Sequence, residues 1–99
     1  MFEGVKKTIG GDEYIIPALS LSQVKALKDT IQKLKMDDYD GMAAIIHAAM
    51  SRNYPEITLE KVTDILDLNN ILEITEAVTN FSGLKKKIME MAGIGPSGT

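Results

Sequence analysis

The chain has 99 residues, a formal net charge of -3 and no cysteine. This length indicates one domain with a thin core, and the lack of cysteine excludes disulfides, Cys-ligated metals and a Cys nucleophile. No apolar run approaches the roughly 18 residues of a transmembrane helix, and the first residues lack the apolar stretch of a secretory signal, so we expect a cytoplasmic protein.

Charge is unevenly distributed along the chain. Residues 21–36 carry +3, residues 37–76 carry -7, and the residues after them carry +2. An acidic segment of this size repels phosphate and argues against nucleic-acid binding. Two interpretations stay open. One is an ordinary solvated surface of mixed sign; the other is head-to-tail self-association, in which a basic face meets an acidic face on the next copy.

Residues 5–16 are predicted to form a β-hairpin. Two β-prone runs, 5–9 and 13–16, flank Gly10-Gly11-Asp12, and glycine supplies the positive φ that tight turns need. Pro17 ends the second run because it cannot donate a ladder hydrogen bond. A lone hairpin is marginally stable, so we expect it to pack on helices or to pair with another chain through its outer edge.

Four helices are predicted after the hairpin, at about 20–35, 38–53, 58–66 and 70–81. Capping signals mark three of the starts: Ser20 with Gln23, for which Ser22 is the competing N-cap, then Thr58, and Asn70 with Glu73. The acidic turn 37–41 suits the remaining start, because the helix macrodipole favours negative charge there. Apolar residues recur at helical spacing in every segment. The predicted inward-facing residues are Leu21, Val24, Leu27, Ile31 and Leu34, then Met42, Ile45, Ile46, Ala49 and Met50, and then Leu59, Val62, Ile65 and Leu66. The fourth helix carries Ile71, Leu72, Ile74, Val78 and Phe81.

The predicted fold class is mainly α with a small N-terminal β-hairpin (α+β), with four to five short helices packed as one small bundle. We expect residues 1–92 to form the single domain, in which 84–91 is the optional fifth helix, and residues 93–99 to form a flexible C-terminal tail. An apolar set near the end either closes the core or forms a strip for a partner helix, a role that suits methionine. Its members are Val78, Phe81, Leu84, Ile88, Met89 and Met91.

No constellation of catalytic or metal-binding residues is recognisable. His47 is the only histidine, and its neighbours one helical turn away are Ala43 and Ser51, so no metal-binding pair exists and we expect a packed or capping residue. A calcium-loop spelling at 38–41 has no ligands at loop positions one and twelve. We therefore expect no enzyme, no cofactor and no small-molecule substrate.

Several short motifs follow the hairpin in a characteristic order. These are Pro17-Ala18-Leu19-Ser20-Leu21 with Gln23, the run HAAMSRNYPE at 47–56, Thr58 with Glu60, Leu66-Asp67-Leu68 with Asn70, and Phe81-Ser82-Gly83. In this order and spacing, residues 14–83 resemble the small tail assembly chaperones encoded upstream of the tape measure gene in long-tailed bacteriophages and prophages.

The resemblance implies a protein that binds the long helical tape measure protein, keeps it soluble and helps to recruit tail tube subunits. It also implies action in the cytoplasm of the bacterial host, absence from the mature virion and, in some members, self-association. Arg52, Asn53, Tyr54 and Pro55 match the family's turn, which we interpret as structural because it stops one helix and aims the next.

Two further points bear on the phage interpretation. Family genes often make a longer product by ribosomal frameshifting, and Lys85-Lys86-Lys87 fits codons of the A-rich kind on which this occurs. The alternatives are a phage virion structural or connector protein, or a small helical transcription regulator, which the acidic second helix disfavours.

Overall fold

The computed structural model describes residues 1–81, with side chains up to Asn80. In this part of the chain, an antiparallel hairpin precedes five helices. The elements are β1 (Gly4–Ile9), β2 (Asp12–Pro17), α1 (Leu21–Ala26), α2 (Lys28–Gln32), α3 (Tyr39–Ser51), α4 (Leu59–Ile65) and α5 (Ile71–Phe81). The predicted α+β fold class is confirmed. The predicted helix 84–91 and tail 93–99 lie outside the described residues.

A two-residue turn joins the strands. Ile9 pairs with Asp12 across Gly10 and Gly11, whose φ values are 61° and 89°. Both glycines thus hold the positive φ that the tight turn requires, as predicted. Ile9 and Ile16 lie on the inner face of the hairpin and are buried, because α5 packs on β1 and α3 packs on β2. The helices therefore stabilise a hairpin that would be marginal alone.

The helix predicted over 20–35 is instead two short helices that meet at Leu27. The φ and ψ of Leu27 are -97° and 11°, away from helical values. No glycine or proline marks the bend. Ile31 and Leu34 turn into the core, whereas Leu21, predicted to face inward, is 72% exposed.

The predicted caps of α1 and α4 are confirmed, and Asp38, one of the acidic residues predicted at the start of α3, caps that helix. Ser20 and Gln23 form the capping box, in which each side chain accepts the other residue's backbone N–H, at 3.1 and 3.0 Å. Asp38 caps α3 by accepting the Gly41 N–H at 2.9 Å. Thr58 caps α4 by accepting the Lys61 N–H at 3.0 Å. These bonds satisfy N–H groups that the helix itself leaves unpaired.

The start of α5 differs from the prediction. Asn70 Oδ1 accepts the Asp67 N–H at 2.8 Å, while Asp67 Oδ1 accepts the N–H groups of Asn69 and Asn70 at 2.9 and 3.0 Å. The reciprocal pair therefore joins Asp67 and Asn70, three residues earlier than the predicted pairing of Asn70 with Glu73. This arrangement organises the turn between α4 and α5.

Helix α3 lies at the centre of the core, with α4 and α5 packed against it. Its predicted inward stripe is at most 3% exposed and consists of Met42, Ile45, Ile46, Ala49 and Met50. A further inward prediction is wrong, because Leu59 is 46% exposed; Leu72, carried by the predicted fourth helix, is 42% exposed. Leu59 lies in the exposed first turn of α4, and Leu72 is rotated about 100° around α5 from buried Ile71.

Candidate functional site

The turn at residues 52–55 joins the helices to the hairpin. Asn53 Oδ1 accepts the Phe2 N–H at 2.6 Å, and Asn53 Nδ2 donates to the carbonyls of Phe2 and Ile15, both at 2.9 Å. The Tyr54 hydroxyl accepts the Ile15 N–H at 2.8 Å. Two side chains of this turn therefore bind both backbone polar groups of Ile15.

These bonds cover part of the outer edge of β2. Counted along the ladder from the Ile9–Asp12 pair at the turn, Ile15 occupies a position whose backbone groups point away from β1. Groups of this kind on an open edge are a template for pairing with another strand. The sequence predicts an outer edge of the hairpin as a possible docking surface. In the structure, Asn53 and Tyr54 occupy the β2 edge at Ile15.

Arg52 and Tyr54 add further contacts to this joint. The Arg52 guanidinium lies 3.9 Å from the centroid of the Phe2 ring, a cation–π geometry, and donates to the Ala18 carbonyl at 2.7 Å. The Tyr54 ring meets the Tyr14 ring edge-on, with centroids 5.3 Å apart. The turn therefore fixes the N-terminal residues and the hairpin onto the end of α3, a wider role than aiming the next helix.

The described residues show a structural role for His47. Its Nε2 lies 3.1 Å from the Ile57 carbonyl, so the half-buried ring links α3 to the loop before α4. Over residues 1–81, no three His, Asp or Glu side chains gather closely enough to hold a metal ion. No helix in that range combines the length and apolarity that a membrane crossing requires.

The apolar set predicted to bind a partner falls mostly beyond the described part. Val78 is 0% exposed and belongs to the core, so in this fold it offers no surface to a partner. Phe81 ends α5, and its side chain lies outside the described set. Leu84, Ile88, Met89 and Met91 also lie outside the described residues. Within residues 1–80, other side chains must supply any apolar contact surface.

One such surface is a groove where the start of α3, the end of α4 and the turn before α5 meet. It encloses about 230 Å³. Its lining residues are Tyr39, Asp40, Ala43, Thr63, Leu66, Asp67, Leu68 and Ile71. Leu68 and Tyr39 are its most exposed apolar members, at 72% and 45%. Because two carboxylates lie among the lining residues, we name it the acidic groove.

The two carboxylates of the acidic groove differ in their surroundings. The Asp67 side chain accepts the backbone N–H groups of Asn69 and Asn70, yet it stays exposed. Asp40 is also exposed, and its side chain makes no hydrogen bond or ion pair with another residue of the described range. The groove therefore combines an apolar floor with negative charge that the neighbouring side chains leave open to a cation.

Sequence reasoning missed this groove. The sequence marks Leu66-Asp67-Leu68 as a motif, but nothing local relates it to Tyr39 and Asp40. Helical periodicity predicts Leu66 to lie in the core, but in the structure its side chain is only half buried. The groove exists because α4 packs against α3, which is a property of the tertiary fold.

No protein-family model matches this chain, and comparison with curated proteins and with solved structures gives no match. The phage resemblance therefore depends on the motifs of the sequence.

Proposed function

We propose that this protein is a phage tail assembly chaperone that binds the tape measure protein, keeps it soluble and helps to recruit tail tube subunits. It acts by binding and not by catalysis. The observation that carries the proposal is the ordered set of motifs in residues 14–83, with Arg52-Asn53-Tyr54-Pro55 at its centre. Three of these four side chains join the hairpin and N-terminal residues to α3. Because this motif holds the hairpin on α3, its presence supports a fold shared with the tail assembly chaperones.

The surface of the described residues suits such a role. A protein that shields an amphipathic helix needs apolar side chains within reach of the partner and a net charge that keeps the complex dissolved. Residues 37–76 carry -7, and several large apolar side chains on the helices and their connections are at least 42% exposed. These are Leu21, Met36, Tyr39, Leu59, Leu68 and Leu72.

The place of action follows from the proposed role. A factor that holds the tape measure protein until the tube surrounds it works in the cytoplasm of the infected bacterium and leaves before the virion is complete. Mass spectrometry of purified particles should therefore detect tube and tape measure proteins but not this chain. Its presence at a stoichiometric level would instead support a virion structural or connector protein.

Co-expression tests the chaperone function directly. The full chain is expressed in bacteria with a fragment of the long helical protein encoded immediately downstream, and the soluble fraction of that fragment is measured. We expect a several-fold increase over the fragment alone and over co-expression with an unrelated small acidic helical protein. Equal precipitation in all three cases would remove the main support for the proposal.

A variant pair refines this experiment. The sequence predicts that Ile88, Met89 and Met91 contact the partner, so replacing all three with Gln should lower the soluble fraction of the fragment. Leu59→Gln tests the competing surface, because Leu59 is an exposed apolar residue on α4, outside that predicted set. Loss of solubilisation with Leu59→Gln alone would place the contact on α4 instead.

A further inference from the structure

The turn at residues 52–55 holds Phe2 in the way that a receptor holds a peptide. One side-chain amide binds both backbone polar groups of Phe2, because Asn53 Oδ1 accepts the Phe2 N–H at 2.6 Å and Asn53 Nδ2 donates to the Phe2 carbonyl at 2.9 Å. The Arg52 guanidinium lies 3.9 Å from the centroid of the Phe2 ring. The contact therefore engages the backbone of Phe2 and its aromatic ring separately.

The receiving side of this contact is held in place by the rest of the fold. Arg52 also donates to the Ala18 carbonyl at 2.7 Å, and Asn53 Nδ2 also donates to the Ile15 carbonyl at 2.9 Å. Both side chains are half buried. Because neither of these further bonds involves the N-terminal residues, Arg52 and Asn53 stay oriented for a ligand when Phe2 leaves. Such preorganisation lowers the entropy that binding costs.

The residues that occupy the site are held by few contacts. Residues 1–3 belong to neither strand of the hairpin, and Met1 and Phe2 are 85% and 50% exposed. Within the described part of the chain, Met1 and Glu3 make no hydrogen bond or ion pair. Chain ends with so few contacts detach readily. Phe2 is favoured in the site because its tether gives it a high effective concentration there.

We propose that Arg52 and Asn53 form a binding site for an extended segment of a partner protein that carries an aromatic residue, and that Phe2 occupies this site in the free protein. The occupant is identified by the groups that bind Phe2. A residue presents its N–H and its carbonyl on the same side only when its backbone is extended, as in a strand. A guanidinium over a ring face selects an aromatic side chain.

Occupation by Phe2 makes the site self-competing. A partner segment binds only to the fraction of molecules from which Phe2 has detached, so its apparent affinity is reduced by that fraction. A change that removes the Phe2 ring should therefore strengthen binding of the partner segment. This site is independent of the proposed chaperone function, and a negative result for it would leave the co-expression experiment unaffected.

An NMR titration of the full chain tests the site and its occupation. The probe is acetyl-Met-Phe-Glu-Gly-amide, which reproduces residues 1–4. In the Phe2→Gly protein, the probe should shift the side-chain amide signal of Asn53 and the backbone amide signal of Ile15, with a dissociation constant about fivefold or more below that of the wild type. No shift of these signals at about 10 mM probe would overturn the proposal. Equal constants in both proteins would contradict occupation by Phe2.

A second peptide tests recognition of the ring. Leu in place of Phe in the probe keeps the backbone and an apolar side chain but removes the aromatic face, so it should bind the Phe2→Gly protein about threefold or more weakly. Adding Arg52→Gln to that protein should make the two peptides bind equally. A merely structural role of Arg52 would leave the preference for Phe unchanged, and that outcome would contradict the proposal.

Asn53→Ala tests recognition of the backbone. Added to the Phe2→Gly protein, it removes the amide that binds the peptide and should abolish the shift of the Ile15 signal. Asn69→Ala is the matched control, because Asn69 is an exposed asparagine in the 67–70 turn, outside the site, and binding should be unaltered. Binding at full strength in the Asn53 variant would overturn the proposal. If that variant does not fold, the Arg52→Gln comparison still decides the outcome.

Discussion

Asn53 binds both backbone polar groups of Phe2. Its Oδ1 accepts the Phe2 N–H at 2.6 Å, and its Nδ2 donates to the Phe2 carbonyl at 2.9 Å, so the amide acts towards Phe2 as a neighbouring strand would. The same Nδ2 reaches the Ile15 carbonyl. One side chain thus joins the N-terminal residues and β2 to the end of α3, across 51 positions of sequence in the first case.

Asn53→Ala should destabilise the protein by about 2 kcal/mol, because it removes three hydrogen bonds whose net value is about 1 kcal/mol or less each at a partly exposed site. Urea unfolding followed by circular dichroism measures the change. Asn69→Ala is the matched control. The Asn69 side chain is exposed in the 67–70 turn, and only its backbone N–H is engaged, so the loss should stay below about 0.5 kcal/mol. Equal losses would show that Asn53 contributes little to the joint.

Tyr54→Phe isolates one hydrogen bond of the same joint. The ring remains and keeps its edge-on contact with Tyr14, but the Ile15 N–H loses the hydroxyl that accepts it at 2.8 Å. We expect a loss of about 1 kcal/mol in unfolding free energy and faster hydrogen exchange at the Ile15 amide.

Tyr39→Phe provides the comparison for this change. Tyr39 is 45% exposed at the acidic groove, so loss of its hydroxyl should alter stability by less than about 0.5 kcal/mol. Exchange at the Ile15 amide should be unaffected by it. If the Tyr54 variant also leaves that amide unaltered, the hydroxyl of Tyr54 does not hold the edge of β2 in solution.

Much of the fold could be predicted because its signals are local. Gly10-Gly11 specifies a tight turn between two β-prone runs, and the Ser20–Gln23 box depends on residues three apart. The errors arose where local signals are ambiguous or missing. Asn70 fits two overlapping capping patterns and pairs with the earlier residue, Asp67. The bend at Leu27 has no glycine or proline to mark it.

The surfaces were less predictable, since they depend on residues far apart in sequence. Arg52-Asn53-Tyr54-Pro55 was recognised as a turn, but its partners Phe2, Ile15 and Ala18 are 34 to 51 positions away. Helical periodicity cannot reveal such pairs. The acidic groove was missed for the same reason, because only the packing of α4 against α3 places Asp40 and Asp67 on the same groove.

Gly41→Ala should not bring the stabilisation of about 1 kcal/mol that alanine usually gives within a helix. A Cβ on Gly41 would come within 2.8 Å of Asp38 Cγ, so the carboxylate that caps α3 would have to move. Loss of a cap costs about 1 kcal/mol. We therefore expect the substitution to be neutral or destabilising in urea unfolding.

A double-mutant cycle checks this explanation. Asp38→Ala removes the obstructing carboxylate together with the cap. In that background, Gly41→Ala should stabilise the protein by up to about 1 kcal/mol, because only the helix propensity remains. If Gly41→Ala has the same effect in both backgrounds, contact with Asp38 is not what requires glycine at this position.

Thr75→Val should raise the unfolding free energy by about 1 kcal/mol. Thr75 is 6% exposed, and its Oγ1 has no hydrogen-bond partner among the described residues, so the hydroxyl is dehydrated without compensation. Valine has the same shape and a similar helix propensity. Thr79→Val is the control, since Thr79 Oγ1 donates to the Thr75 carbonyl at 2.8 Å and its removal should bring no such gain. Urea unfolding of both variants measures the difference, and a less stable Thr75→Val protein would mean that this hydroxyl is hydrogen-bonded in solution.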